Sequence, residues 1–272
     1  MRATHSLWAG TDKQTGCEFL MLTGIVSAVA VAAFLASGNG ADIFSGDFGN
    51  LCFALALTAA AVDIRRSVQT HGPASITWLD WGVFVLVLVL VAAPTLSSNW
   101  FALLLCGFWS FGKGDRFKRY AGIMLIGTSV YLLKDSVWAG FVAQAVLDLE
   151  AWAIASIHDL VAGPALARGN VVSLADGRTL VILRDCSVLN LVAPAVLSVM
   201  ALRRLLHESR TGIWPFVAAI SLFVLVLNTI RLTGMAYSPE LYDVLHNGVG
   251  EDIFASLVSV AVGLLSIWKK AR

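Results

Sequence analysis

Long apolar stretches separated by short polar segments dominate the chain. A helix needs about 20 mostly apolar residues to cross the hydrocarbon core of a bilayer, and eight stretches approach this length. They are residues 19–37, 48–64, 79–97, 99–112, 119–134, 187–206, 213–232 and 251–268. The pattern predicts an all-α integral membrane protein with about eight transmembrane helices, of which the fourth and fifth are the shortest.

Most basic residues fall into four clusters that one alternation of the predicted spans places on the same side of the membrane. Loops rich in lysine and arginine stay on the cytoplasmic side, so the clusters orient the helices. They are Arg65 and Arg66; Lys113, Arg116, Lys118 and Arg119; Arg203, Arg204 and Arg210; and Lys269, Lys270 and Arg272. We therefore predict a multi-pass protein of the cytoplasmic (inner) membrane, with residues 135–186 and 233–250 on the extracytoplasmic face.

The outer segment 135–186 has two parts with different patterns. Residues 136–162 have a helical pattern interrupted by polar residues, which predicts an amphipathic helix that lies at the outer membrane interface or is partly re-entrant. Residues 170–183 form two runs rich in β-branched residues around Asp176-Gly177, a dipeptide that suits the tight turn of a β-hairpin. Residues 1–272 are thus predicted to form a single integral membrane domain, with this helix and hairpin preceding the core helices of 186–268.

The composition agrees with a membrane protein and excludes several other classes. Of the 272 residues, 58% are hydrophobic and 14% charged, and the mean hydropathy is +0.78, whereas soluble domains carry about 25% charged residues. The net charge of +1 gives no indication of a nucleic-acid partner. The four cysteines include no Cys-x-x-Cys pair, so neither a disulfide framework nor a zinc site is predicted.

Three residues whose side chains can take part in catalysis are predicted to lie at the extracytoplasmic face. Cys186 lies at the outer end of the sixth span, Arg231 at the outer end of the seventh, and His246 just before the eighth. An ionisable residue at this depth is a functional-site hypothesis by default. A helix N-terminus and a nearby arginine, here Arg184, both favour the thiolate form of a cysteine. The remaining cysteines are predicted to be small buried hydrophobic residues: Cys17, Cys52 and Cys106.

Thiol, imidazole and guanidinium together suit acyl transfer, in which a thiolate attacks a carbonyl, an imidazole moves protons and a cation stabilises the oxyanion or holds the substrate. Other nearby polar residues have simpler predicted roles. Ser187 or Asp185 is expected to cap the sixth span, and Asp148 and Glu150 are expected to lie on a solvated polar face. The asparagines are expected to hydrogen-bond the backbone or cap helices: Asn190, Asn228 and Asn247.

Other functions remain open from these residues alone. In a transporter or channel, Arg231 and His246 would bind an anion or relay protons, although the sequence has no paired broken helices or inverted halves. A thiol-redox enzyme is disfavoured because Cys186 has no nearby cysteine. A structural assembly factor is a further alternative.

At these same residues the sequence resembles the exosortase/archaeosortase family of membrane cysteine transpeptidases. The matching stretches are Asp185-Cys186-Ser187, Asn228-Thr229-Ile230-Arg231 and Leu245-His246-Asn247-Gly248. The resemblance covers residues 168–272, and the first five spans match only as generic apolar helices. Val188 stands where the family usually has glycine, and Arg184-Asp185 replaces a more usual Glu-Ala pair.

The resemblance implies an enzyme that cleaves the C-terminal sorting signal of exported proteins, which consists of a short motif, a hydrophobic span and a basic tail. Cys186 would form a thioester with the substrate, His246 would act as general acid and base, and Arg231 would stabilise the oxyanion or orient the substrate. The expected partners are such proteins and membrane lipids, with a surface acceptor and without metal, organic cofactor or nucleic acid. Supporting residues would be Arg184, Asp185, Ser187, Asn190, Asn228 and Asn247.

Overall fold

The structure, a computed structural model, describes residues 16–38, 48–93, 95–133, 137–206, 212–247 and 249–268. For residues 34–38, 48–50, 137–139, 141, 185, 247 and 251 it describes the backbone alone. Within these ranges the helices are α1 (Cys17–Gly38), α2 (Phe48–His71), α3 (Trp78–Ala92), α4 (Leu96–Gly112), α5 (Arg116–Leu132), α6 (Val137–Val161), α7 (Val188–Leu206), α8 (Trp214–Tyr237), α9 (Pro239–Asn247) and α10 (Val249–Ile267). The strands are β1 (Ala165–Arg168), β2 (Val171–Leu174) and β3 (Thr179–Val181), and a 3₁₀ turn spans Arg184–Cys186.

The elements agree closely with the sequence pattern. The fold is mostly helical with one small sheet, as predicted, and each predicted apolar stretch overlaps a helix. The predicted amphipathic helix is α6, and the predicted hairpin is β2–β3, in which Gly177 has a φ of +87° in the turn. The sequence pattern missed three short elements, namely β1, α9 and the 3₁₀ turn.

The number of helices able to cross a membrane is smaller than the predicted eight. Among the described residues, α7 and α8 are long and apolar enough, and Cys17–Ala33, Trp78–Ala92 and Asp252–Ile267 are shorter apolar helices. The 15 residues of α3 correspond to about 23 Å, against a hydrocarbon core of about 30 Å. In α2 and α5, charged residues lie inside the helix bounds, at Asp63–Arg66 and Arg116–Arg119.

Packing divides the chain into two compact units. The first contains α1, α3 and α4 with the adjoining residues of α2 and α5, and these three helices pack on one another. Gly24 permits close approach within this unit, because a Cβ there would lie 3.1 Å from Val87 Cγ1 and 3.2 Å from Cys106 Sγ. The predicted burial of the other cysteines is confirmed throughout the chain for Cys17, Cys52 and Cys106.

A buried group of charged and polar side chains, the Lys118 cluster (Glu18, Ser67, Asp115 and Lys118), joins helix ends in the first unit. Lys118 Nζ lies 2.5 Å from Glu18 Oε1 and 3.4 Å from Asp115 Oδ2. Ser67 Oγ donates to Asp115 Oδ2 at 2.7 Å, and the Ala74 N–H donates to the Glu18 carboxylate at 3.2 Å. Lys118 and Glu18 are 4% and 3% exposed. Part of the basic cluster at the start of α5 is therefore internal to the fold.

The second unit contains a three-helix bundle of α7, α8 and α10. At one end of the bundle, Arg203 near the end of α7 donates to the carbonyls of Leu265 and Trp268 at 2.7 and 2.9 Å. The same guanidinium lies 3.4 Å from the ring centre of Phe216, near the start of α8. Because Leu265 and Trp268 lie at the end of α10, α7 and α10 run in one direction and α8 runs in the other.

At the opposite end of the bundle, α6 and the sheet pack on the end of α8. The sheet is antiparallel in the order β1-β2-β3. Its inward side chains join those of α6 and α8 in one hydrophobic core, which contains Leu147, Ala151, Ile154, Ala155, Val172, Leu174, Leu180, Ile182, Leu232, Met235 and Ala236. Cys186 packs against this core, so the core fixes where the chain leaves β3 and enters α7.

Candidate active site

Cys186 lies in the 3₁₀ turn between β3 and α7. Its N–H donates to the Leu183 carbonyl at 3.1 Å, and the Ser187 N–H donates to the Arg184 carbonyl at 3.1 Å. The side chain is partly exposed, unlike those of the other three cysteines. The predicted position of Cys186 at the beginning of the sixth span therefore agrees with the structure, in which α7 begins at Val188.

His246 lies beside the Cys186 thiol. Cys186 Sγ and His246 Nδ1 are 3.8 Å apart, although the residues are 60 positions apart in sequence. His246 is near the end of α9, where the ring of Tyr242 lies 5.0 Å from its own ring, centre to centre. The structure thus brings together Cys186 and His246, the two residues predicted from the sequence to act as nucleophile and base.

Arg231 supports the segment that carries His246. Its Nε donates to the Leu245 carbonyl at 3.0 Å, and its guanidinium lies 5.1 Å from the ring centre of Phe254 on α10. The side chain is 8% exposed. These contacts connect α8 to the residue before His246 and to α10, so Arg231 belongs to the same cluster and helps to position His246.

Glu150 on α6 is a member of the site that the sequence analysis assigned wrongly. Its Oε2 accepts from Ser187 Oγ at 2.5 Å, and its Oε1 accepts from the Val188 N–H at 2.8 Å. A carboxylate at a helix N-terminus satisfies N–H groups that have no partner in the helix. The expectation of a solvated polar face holds for Asp148, which is exposed and accepts from Gln144 at 2.7 Å, but not for Glu150.

Ser187 and Asn228 complete the hydrogen bonding of the turn. Ser187 Oγ accepts from the Leu189 N–H at 3.2 Å, which confirms the prediction that Ser187 caps the helix. Asn228 Nδ2 donates to the Cys186 carbonyl at 3.0 Å and to Glu150 Oε1 at 3.4 Å. Asn228 is 1% exposed, and its buried Oδ1 has no hydrogen-bond partner in the described part of the protein.

The remaining predicted supporting residues are placed less centrally. Arg184 is exposed, and its guanidinium lies beside α6, where a Cβ on Gly140 would be 3.1 Å from Nη2. Asn190 Oδ1 accepts from Tyr131 OH at 3.3 Å, so it links α7 to α5. The side chains of Asp185 and Asn247 lie outside the described residues.

In the part of the chain that the structure describes, no group of three or more His, Cys, Asp or Glu side chains is arranged to hold a metal ion. Comparison of the chain with known protein families, with curated proteins and with solved structures gives no match. The functional interpretation therefore starts from the geometry around Cys186 and from the three short motifs that meet there.

Proposed function

We propose that the chain is a membrane-embedded cysteine transpeptidase or protease that cleaves the C-terminal sorting signal of exported proteins and transfers them to a surface acceptor. The observation behind the proposal is the distance of 3.8 Å between Cys186 Sγ and His246 Nδ1. A cysteine beside an imidazole in a partly exposed position is the arrangement that nucleophilic acyl transfer requires.

The reaction proceeds in two steps through a thioester. His246 takes the proton of the Cys186 thiol, the thiolate attacks the substrate's peptide carbonyl, and a C–S bond forms. His246 then gives its proton to the leaving amine as the C–N bond breaks. In the second step an acceptor nucleophile attacks the thioester, His246 takes the acceptor's proton, and the Cys186 sulfur leaves and is reprotonated. Water as the acceptor gives hydrolysis instead of transfer.

The neighbouring residues serve these steps by position and charge. Glu150, Ser187 and Asn228 fix the turn that carries Cys186, because their hydrogen bonds reach its carbonyl and the first residues of α7. Glu150 accepts these hydrogen bonds at both of its oxygens, so it positions the turn while His246 acts as the base. Arg231 orients His246 and supplies the positive charge that favours a developing oxyanion.

We place this reaction on the extracytoplasmic face of the inner membrane. The bundle exposes large apolar side chains along its helices, as expected for contact with lipid: Leu222, Leu225, Val226 and Ile230 on α8 and Ile253, Leu257, Val260 and Leu264 on α10. The Arg203 end, placed inside by its charge, is opposite the end with Cys186. Of the basic residues in the same predicted clusters, Arg210, Lys269, Lys270 and Arg272 lie outside the described residues.

Substitution of the nucleophile tests the proposed function. In cells expressing Cys186→Ala, proteins with a motif, a hydrophobic span and a basic tail accumulate uncleaved while the variant still inserts in the membrane. Cys106→Ala is the matched control, because it removes a thiol that is buried and distant in sequence, and processing continues. Normal processing by Cys186→Ala would refute the enzyme. A transporter that uses Arg231 and His246 would instead lose flux on Arg231→Met and keep it on Cys186→Ser.

A further inference from the structure

A groove lies beside the candidate active site, and its lining residues take no part in the proposed reaction steps. Its volume is about 410 Å³, and it lies between the β2–β3 hairpin on one side and the α8–α9 junction on the other. The lining includes Thr179 and Leu180 from β3 and Tyr242 and Asp243 from α9. Tyr242 connects the groove to the site, because its ring lies 5.0 Å from that of His246.

Within the described residues, the β3 strand has no strand partner on the edge opposite β2, and Thr179 of this strand lines the groove. It is the last strand in the order β1-β2-β3. On the side that pairs with β2, the Arg178 carbonyl accepts from the Leu174 N–H, and the Ile182 N–H donates to the Asn170 carbonyl. Hydrogen bonding alternates along an antiparallel strand. The N–H and C=O groups of Thr179 and Val181 therefore point away from β2. Such an edge binds an extended peptide as an added strand.

The direction of β3 leads from the groove to the nucleophile. The strand ends at Val181, and the chain continues through Ile182 and Leu183 to the turn that holds Cys186. Five residues of extended chain cover at most about 18 Å. A peptide that lies along β3 and continues for a similar length is consequently long enough to reach the Cys186 thiol.

The charge of the groove restricts the peptide. Arg178 is already engaged, since its Nε lies 2.5 Å from Asp176 Oδ2 and its Nη2 donates to the Tyr237 carbonyl at 3.2 Å. Asp243 contributes an exposed carboxylate on α9, three residues before His246. The net charge of these groups is therefore negative, and it favours peptides with basic or neutral side chains over peptides with acidic ones.

We infer that this groove is the substrate subsite: an extended peptide segment with basic or neutral side chains pairs with the free edge of β3 beside Asp243 and is led to Cys186. The inference rests on the proposed function, since it assigns the peptide segment next to the cleaved bond to this surface. Thr179 and Val181 bind the peptide backbone, and Asp243 selects among side chains.

The test is photo-crosslinking to the full-length Cys186→Ala protein in lipid nanodiscs. The probe is a library of photoreactive synthetic peptides with randomised residues before a leucine–alanine span of about 20 residues and a basic tail. Thr179→Pro removes an outward-pointing N–H, at an edge position where proline is tolerated, and Thr179→Ala keeps that N–H. Asp243→Lys reverses the charge in the groove, with Asp159→Lys, an exposed site on α6, as its control.

We expect crosslinks to β3 and α9. Thr179→Pro should capture about tenfold less peptide than Thr179→Ala, because it loses about one hydrogen bond. In Asp243→Lys the captured sequences should shift from basic to acidic. The proposed subsite would be overturned by crosslinks elsewhere in the protein or by the absence of any captured peptide. It would also be overturned if the two Thr179 variants captured equal amounts of peptide and Asp243→Lys left the captured sequences unchanged. The proposed function fails separately, if peptides are captured in the groove and the protein with Cys186 intact forms no thioester with them.

Discussion

The Lys118 cluster and the Cys186 site are both polar groups at helix ends, yet their chemistry differs. In the Lys118 cluster the ammonium lies within 3.4 Å of two carboxylates, and a serine and a backbone N–H complete the hydrogen bonding. Burial raises the pKa of the Asp115 carboxyl, but the hydrogen bond from Ser67 and the neighbouring Lys118 outweigh it and hold the pKa below its ordinary value. Each charged group has a partner of opposite charge within 3.4 Å, which is typical of a structural network.

At the Cys186 site the hydrogen-bonded residues are distinct from the thiol and the imidazole. Glu150, Ser187 and Asn228 form short hydrogen bonds that fix the backbone, whereas the thiol and imidazole meet at 3.8 Å on a partly exposed surface. A catalytic pair is often loosely spaced before substrate binds. Charge alone therefore does not mark a candidate site, whereas a partly exposed thiol and imidazole beside a hydrogen-bonded turn do.

The largest expected effect comes from removing His246, the proposed base. His246→Ala should lower the rate of thioester formation by about 10²–10⁴, the range that general acid–base catalysis contributes. His71→Ala, an exposed histidine near the end of α2, should leave the rate unchanged. Single-turnover acylation of the purified proteins measures both. A rate within twofold of wild type for His246→Ala would remove the distinction between the two clusters.

A smaller effect is expected when the positioning carboxylate is neutralised. Glu150→Gln should lower kcat by about 10–100-fold, because small displacements of a reacting group have effects of this size, while KM stays near its original value. Asp148→Asn on the same helix is the control and should change neither constant. Steady-state kinetics on a tailed peptide substrate separates kcat from KM. A rise in KM alone would show that Glu150 acts on substrate binding and not on the Cys186 turn.

The Lys118 cluster should respond in stability and not in chemistry. Lys118→Met leaves the Glu18 carboxylate buried without its cation, which typically costs about 3–5 kcal/mol of unfolding free energy. Combining it with Glu18→Gln should recover part of the loss, and Arg119→Met, at an exposed position, should change stability by less than about 0.5 kcal/mol. Denaturant unfolding in detergent gives the values. A normal stability for Lys118→Met would contradict the structural assignment, and slow acylation by its folded fraction would connect the cluster to catalysis.

Much of the fold could be predicted, because its signals are local. Apolar stretches mark the helices, and Asp176-Gly177 marks the hairpin turn through the positive φ of Gly177. The short elements were missed because β1 has four residues and α9 has nine, too few for a clear period. The number of spans was predicted too high, since apolar pattern does not separate a buried short helix from one that crosses lipid.

The grouping of Cys186, His246 and Arg231 could be predicted from the sequence, but the residues that support the Cys186 turn could not. Cys186, Arg231 and His246 were identified by residue type and by their predicted face. Glu150 was missed because its partners, Ser187 and Asn228, are 37 and 78 positions away. One local signal was available: residues two apart on a helix point to roughly opposite faces. Asp148 and Glu150 could therefore not both lie on the solvated face.

The central claim, that Cys186 forms an acyl thioester, is tested most directly by trapping that intermediate. The protein is mixed with a tailed peptide substrate, quenched in acid within the first turnover and digested for mass spectrometry. We predict that the fragment containing Cys186 gains the mass of the substrate's acyl portion, that hydroxylamine removes it, and that Cys106→Ala protein shows the same adduct. Cleavage of the substrate without an adduct on Cys186, or with the adduct on another residue, would contradict the account.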